Sequence, residues 1–319
     1  MSAKPLRIGV IGAGANTRAL HLPRLRAIAG VEIVGVSNRS AASGTEVATE
    51  FAIPRVHADW RELVARPDVD AVVIGSWPDT HAEMSCAALA AGKHVLCEAR
   101  MARNLAEARR MLAASESAPG LAAQLVPAPS TFRVDATIIR LLREGALGDL
   151  LAIDLRATQG SFIDRTSPLR WRQRIEISGR NTLALGIYYE SLMRWVGEAR
   201  RVTAIRRIFV PRRTDPETGA TVDVRVPDHV EVLADMACGA IAHLRFSAVT
   251  GLPSEEAGVW LHGSEGTSKS TGRSCSLGGV AKQACGGSRS IRPGLASGGG
   301  AGFRRFNSAA LAGEAHLLR

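Results

Sequence analysis

Apolar residues in the first third of the chain fall in short runs, separated by stretches with a three-to-four-residue period. The runs are LRIGVIG (residues 6–12), VEIVGVS (31–37), DAVVIGS (70–76), KHVLCE (93–98) and LAAQLV (121–126). Between them, THAEMSCAALAAG and NLAEARRMLAAS carry helical spacing. Apolar strands that alternate with helices predict a parallel sheet covered on both faces. Thr80 followed by Glu83 reads as a capping box opening one of these helices. The alternation stops at VPAPS, where two prolines break it, so a domain boundary is expected near residue 127.

A different order follows. VDATIIRLLREGALG reads as an amphipathic helix, DLLAIDLRATQG as a long strand, and a second helix is predicted from about 179 to 196. Then RVTAIRRIFV, HVEVLADMA and GAIAHLRFSAV succeed one another with no helix between them. Successive strands predict an antiparallel or mixed sheet. The expected fold is α/β: a doubly wound parallel sheet over 1–127, then an α+β domain with an open, mostly antiparallel sheet over 128–267. From Ser268 to Gly302, seventeen of thirty-five residues are Gly or Ser, and neither period is visible. Two readings of 268–319 stand: a flexible basic tail, or a segment out of frame with the fold it follows.

Composition narrows the classes. No apolar run is long enough to cross a bilayer, and MSAKPLRIGVIGAG enters a strand directly, without a signal peptide's apolar stretch. A cytoplasmic protein is expected. The five cysteines (Cys86, Cys97, Cys238, Cys275, Cys285) form no CxxC pair, so neither a disulfide framework nor a metal site is predicted. The net charge is +10, but residues 1–267 hold 32 basic and 29 acidic side chains. The excess lies in the tail, with no basic stripe of interleaved aromatics, and no nucleic-acid partner is expected.

The chemistry begins at IGAGANTRALHLPRL. Gly12 permits a tight turn after the first strand, Gly14 lets backbone approach a pyrophosphate, and Ala15 and Asn16 open a helix whose free N–H groups suit phosphate. This predicts a Rossmann dinucleotide site, although Thr17 occupies the third glycine position. The second strand ends with Asn38, Arg39 and Ser40, where NAD sites usually carry an acid for the ribose 2′-OH. An arginine suits a 2′-phosphate, so NADP is preferred over NAD; a solvated arginine is the alternative. Trp77 and Pro78 are placed to wall a nicotinamide pocket. His81, at a helix start, is read as a cofactor contact or as a structural one. Glu98 and Arg100 follow the fourth run, at the strand ends where ligands sit in open α/β sheets.

The segments GAGANTRALHLP, DAVVIGSWPDTHAEMSCAALAAGKHVLCEARMA and SGRNTLALGIYYESLMRWVG together resemble the Gfo/Idh/MocA family. The resemblance implies a Rossmann domain, a C-terminal domain with an open sheet that joins homo-oligomers, and NAD(P)-linked oxidoreduction of sugars or cyclitols as small-molecule substrates. The chemistry departs from the family. Its E-K-P reads Glu98-Ala99-Arg100 here, and its D-x-G-x-H reads Ala184-Leu185-Gly186-Ile187-Tyr188. Alcohol oxidation needs a group that takes the hydroxyl proton, and alanine cannot. Tyr188 is the first candidate, its phenolate favoured by Arg100 and the oxidised nicotinamide, with Glu98 next. A tyrosine packed in the domain interface is the alternative. Asn181, two turns earlier, is placed to bond a substrate hydroxyl, with Arg100 a second substrate contact. A non-catalytic dinucleotide-binding protein is the competing function.

Overall fold

The computed structural model describes residues 4–126, 131–159, 163–180, 185–251, 257–271, 274–279 and 289–291. The chain divides into two compact units after Val126. The first contains strands β1 (Leu6–Ile11), β2 (Val31–Ser37), β3 (Val56–His57), β4 (Ala71–Ile74), β5 (His94–Cys97) and β6 (Ala123–Leu125). All pair parallel, in the order β3-β2-β1-β4-β5-β6. This order reverses between β1 and β4, which opens a crevice beyond their carboxyl ends. The helices are α1 (Leu22–Arg26), α2 (Ala41–Glu50), α3 (Trp60–Ala65), α4 (Pro78–Ala90) and α5 (Leu105–Glu116). The apolar runs become strands because their interiors are covered: Val10, Val36, Val72 and Ile74 are fully buried. Each such side chain contributes about 1.5–3 kcal/mol through burial. The two-residue β3 has no apolar run of its own and was not predicted.

Side chains that compete with the backbone fix the helix starts. Ser40 Oγ accepts from Ser43 N, Asp59 Oδ1 from Arg61 N, and Asn104 Oδ1 from Glu107 N. The capping box expected at Thr80 does not form. Helix α4 starts two residues earlier, with Pro78 in its first turn, and Thr80 Oγ1 donates to the Trp77 carbonyl. Proline at N1 has its φ preset and lacks only an N–H that would have no helical partner there.

The second unit contains α6 (Thr131–Arg143), β7 (Leu150–Thr158), α7 (Ile175–Ser178), α8 (Leu185–Val196), β8 (Ala199–Arg207), β9 (Arg212–Thr214), β10 (Thr221–Asp223), β11 (His229–Met236), β12 (Ile241–Ser247), β13 (Gly258–Gly263), β14 (Gly266–Thr271), β15 (Cys275–Gly279) and β16 (Arg289–Ile291). Eight strands form one sheet, ordered β16-β15-β14-β13-β7-β12-β11-β8. Only β7 and β12 pair parallel in it. Val134, Ile138 and Leu141 of α6, with Leu185, Tyr189, Leu192 and Val196 of α8, form apolar stripes at helical spacing. They pack on Leu155, Val232, Leu244 and Phe246 from one sheet face. Within the helix predicted over 179–196, the described residues hold α8, and 181–184 lie outside them. Gly179 ends α7 at φ +63°, a conformation glycine adopts without a Cβ penalty, and α8 starts at Leu185.

The break expected after Thr267 falls inside a strand. Ser268 and Ser270 of β14 and Cys275 of β15 are buried, and β14 pairs with both β13 and β15. The sheet accepts small residues at these inward positions, so the strand period carries no large apolar signal. Residues 292–319 lie outside the described residues, as does the reading of them as a tail or an out-of-frame segment. Among the described residues, no helix is long and apolar enough to cross a membrane, and no group of His, Cys, Asp and Glu could hold a metal. Cys86, Cys97, Cys238 and Cys275 are free thiols; Cys285 lies outside the described residues.

Candidate dinucleotide site

The turn after β1 is tightly built. Gly12 has φ +78°, and a Cβ there would lie 2.5 Å from the Ser76 nitrogen. Only glycine fits. A Cβ on Gly14 would meet nothing within 4 Å, so this backbone faces open space. Gly14 N donates to the Gly12 carbonyl, and Ala13 N to Asn38 Oδ1 at 2.7 Å. Asn38 therefore braces the turn from the tip of β2, and its amide nitrogen donates to Ser43 Oγ. Thr17, at the third glycine position, is buried and needs room. The strand opposite supplies it: a Cβ on Gly75 would lie 2.1 Å from Thr17 Oγ1. The missing glycine has been moved across the crevice. Beyond the turn, residues 15 and 16 lead into a π-helical turn, Thr17–His21, that continues into α1. The first N–H groups of a helix lack intrahelical partners and favour an anion.

Glu98, after β5, joins this edge. His21 Nε2 lies 2.5 Å from Glu98 Oε1, Asn16 Nδ2 donates to the same oxygen, and Ala99 N donates to Oε2 at 3.0 Å. Burial pushes the carboxyl up. The hydrogen bond and charge of His21, with the bonds from Ala99 N and Asn16, outweigh it and hold the group below the ordinary glutamate range. Glu98 is thus an ionised anchor with no tendency to hold a proton at neutral pH. The histidine was missed by sequence reasoning; the signal was ALHLP, a histidine one helical turn beyond Thr17.

The Arg39 guanidinium sits over the Trp77 ring, 5.1 Å from its centroid. This contact brings the tips of β2 and β4 together across the crevice. Ser40 caps α2, and Pro78 is buried in the first turn of α4. Gly12, Gly14, Ala15, Asn16, Asn38, Arg39, Ser40, Trp77, Pro78 and Glu98 therefore all belong to the carboxyl edge of the first sheet.

His81 has a different role from a cofactor contact. It is 1% exposed; Nδ1 lies 2.7 Å from the Arg100 carbonyl and Nε2 3.0 Å from the Ser76 carbonyl. Two carbonyl acceptors need two N–H donors, so the ring is an imidazolium. Burial opposes the charge, but the Cys97 sulfur and the two carbonyls overcome it, and the pKa is pushed up to about 9. Neither ring nitrogen is left for a ligand.

Tyr188 belongs to α8 in the second unit. It packs against the core, its ring centroid 6.4 Å from that of Phe246. Burial pushes its phenol above the ordinary value, the opposite of the phenolate expected from the sequence. Asn181 and Ala184 lie outside the described residues.

Comparison with known proteins decides the family. Residues 6–123 match the model of an oxidoreductase family with an NAD-binding Rossmann fold, and 136–269 match the GFO/IDH/MocA C-terminal domain. The inositol 2-dehydrogenase of Gluconacetobacter diazotrophicus is 32% identical over 259 residues, 75% of this chain and 72% of its own. The chain belongs to the Gfo/Idh/MocA oxidoreductase family. Another relative, the levoglucosan dehydrogenase of Pseudarthrobacter phenanthrenivorans, is 27% identical over 293 residues, 82% of this chain and 72% of its own. A levoglucosan dehydrogenase in complex with NADH and L-sorbose superposes with a TM-score of 0.79 at 25% identity, covering 90% of this chain and 80% of that one. The glycine turn of this family member is thus part of an NAD-binding Rossmann domain, and the protein is an NAD(P)-dependent oxidoreductase.

Proposed function

We propose that this oxidoreductase transfers a hydride between NADP(H) and a hydroxyl or carbonyl carbon of a sugar or cyclitol. The observation that carries the cofactor preference is the tip of β2. Asn38 is turned inward to brace the turn, no carboxylate follows it, and Arg39 stands exposed beside Trp77. A 2′-phosphate there meets a guanidinium rather than a repelling acid. The named relatives, an inositol 2-dehydrogenase and a levoglucosan dehydrogenase, support the polyhydroxylated substrate class.

When bound, the nicotinamide supplies or accepts the hydride. The protein's task is the proton. With alanine at position 99, Tyr188 is the proposed acid. Its raised pKa keeps the phenol protonated, which suits donation to a carbonyl oxygen and hence the reductive direction. Glu98, fixed by His21 and Asn16, orients rather than donates. Asn181 and Arg100 are the proposed substrate contacts. The homo-oligomer is proposed to form through the open sheet face, where Ile205, Leu233 and Ile241 are 60%, 56% and 65% exposed. A cytoplasmic location is part of the same proposal.

Ala99 also favours a second reading, a dinucleotide-binding protein without turnover. Titration of NADPH and NADH, followed by a screen of sugars and cyclitols at the nicotinamide absorbance, separates the two. The oxidoreductase gives tighter NADPH binding and a substrate-dependent absorbance change. Equal affinities refute the NADP preference, and binding without any absorbance change favours the second reading.

A further inference from the structure

The second unit contains a cavity that the dinucleotide chemistry does not use. It has a volume of about 460 Å³ and is lined by Arg180, Arg206, Arg207 and Arg225. Arg206 and Arg207 are consecutive in β8, so their side chains leave opposite faces of the sheet, and Arg207 Nη1 donates to the Arg206 carbonyl. Arg180 follows α7, Arg206 and Arg207 end β8, and Arg225 precedes β11. One carboxylate, Glu176, pairs with Arg225. Among the described residues, the other three guanidiniums have no ion-pair partner. Asp228, the next acid along the chain, does not neutralise them: its carboxylate accepts from Phe209 N and Val210 N, with distances of 2.9–3.0 Å. The segment 163–227 as a whole carries thirteen arginines against seven acidic residues and no lysine.

Like charges around one cavity repel unless an anion lies between them. Guanidinium is the cation that binds phosphate through paired N–H groups. The two uncompensated charges of Arg180 and Arg206, with Arg225 beside them, exceed what a monocarboxylate neutralises and suit a dianion. The volume lies in the range of small-molecule sites and exceeds what a bare phosphate fills. Ile208 and Pro227 add an apolar wall for an organic body.

We propose that this cavity binds a small phosphorylated metabolite, of sugar-phosphate size, with its phosphoryl group held by Arg180 and Arg206. The site goes beyond the proposed redox function and does not depend on it.

Isothermal titration of the full chain at fixed ionic strength tests this with glucose 6-phosphate, glucose and gluconate. Glucose 6-phosphate is expected to bind saturably, and glucose and gluconate are not. Arg180→Gln and Arg206→Gln should each weaken binding by about tenfold or more, the scale for a charged hydrogen bond. Arg206→Lys should weaken it less, because the charge remains and only the paired geometry is lost. Arg212→Gln, which removes an arginine already paired with Asp223, should change nothing. NADPH affinity should be the same in all variants, which monitors folding. The proposal is overturned if no heat of binding is seen with glucose 6-phosphate, if gluconate binds as tightly, or if the glutamine variants bind unchanged. Because the comparison of ligands uses the unmodified chain, it decides the question even if a variant misfolds.

Discussion

At the scale of single side chains, the proposed cofactor preference and proton transfer rest on Arg39 and Tyr188. Removing the Arg39 guanidinium should weaken NADPH by about 1–3 kcal/mol and leave NADH nearly unaffected; equal losses for both cofactors in Arg39→Ala, read by fluorescence titration, would assign the arginine a merely structural role. Tyr188→Phe keeps the packing against Phe246 and removes the proton, so turnover should fall by about 10²–10⁴-fold at unchanged NADPH affinity. A rate that barely moves would transfer the role to another group. His81 gives a pH dependence with a definite sign. Its folded pKa of about 9 lies above the ordinary histidine value of about 6.5. The stability it contributes is therefore complete below about pH 6.5 and is lost as pH rises through about 9. Melting temperatures measured across that window should fall in the unmodified protein and stay flatter in His81→Gln. Parallel curves would mean that the ring is not charged.

At the scale of elements, the decisive contact is between the first helical segment and β4. Thr17 fits only because Gly75 has no side chain. Gly75→Ala drives a Cβ into Thr17 Oγ1 and towards the Gly12 carbonyl, 2.8 Å away. Overpacking of this kind costs about 1–3 kcal/mol, and here it also deforms the Gly12 turn. Both the melting temperature and NADPH affinity should drop. Adding Thr17→Gly should recover part of the loss, because it removes the nearest clashing atom. A double variant whose loss equals the sum of the two single losses would show that the residues do not share this space.

For the whole molecule, the open face of the eight-stranded sheet is the feature with the largest consequence. It presents Ile205, Leu233 and Ile241 alongside a charged network. Glu231 accepts from Arg245 Nε at 2.6 Å and lies 2.8 Å from His243 Nε2. Leu233→Glu places a charge among exposed apolar groups without touching the core face of β11. Light scattering should then report a smaller assembly than for the unmodified chain, with NADPH binding retained; an unchanged mass would exclude this face as the joint.

The sequence by itself determined what depends on neighbours along the chain. Strand and helix periods, the Gly12 turn, the acid missing after β2 and the alanine at position 99 are all local, and each was legible. Tertiary structure decided what depends on residues brought together from afar. Glu98 is held by His21 from 77 residues away, and that distant pairing contributes more to its charge state than the bond from its neighbour Ala99. The partial glycine motif is completed by Gly75, which no motif includes. His81 looked like a possible ligand until two carbonyls claimed both its nitrogens. Ser268, Ser270 and Cys275 read as a structureless stretch because burial there demands small side chains, and small side chains leave no hydrophobic period. Arg180, Arg206 and Arg225 are ordinary charges in sequence; only the arrangement of α7, β8 and the approach to β11 brings them to one cavity. Local patterning records the preferences of the backbone, whereas charge state, fit and cavity shape arise from distant partners that a linear pattern cannot register.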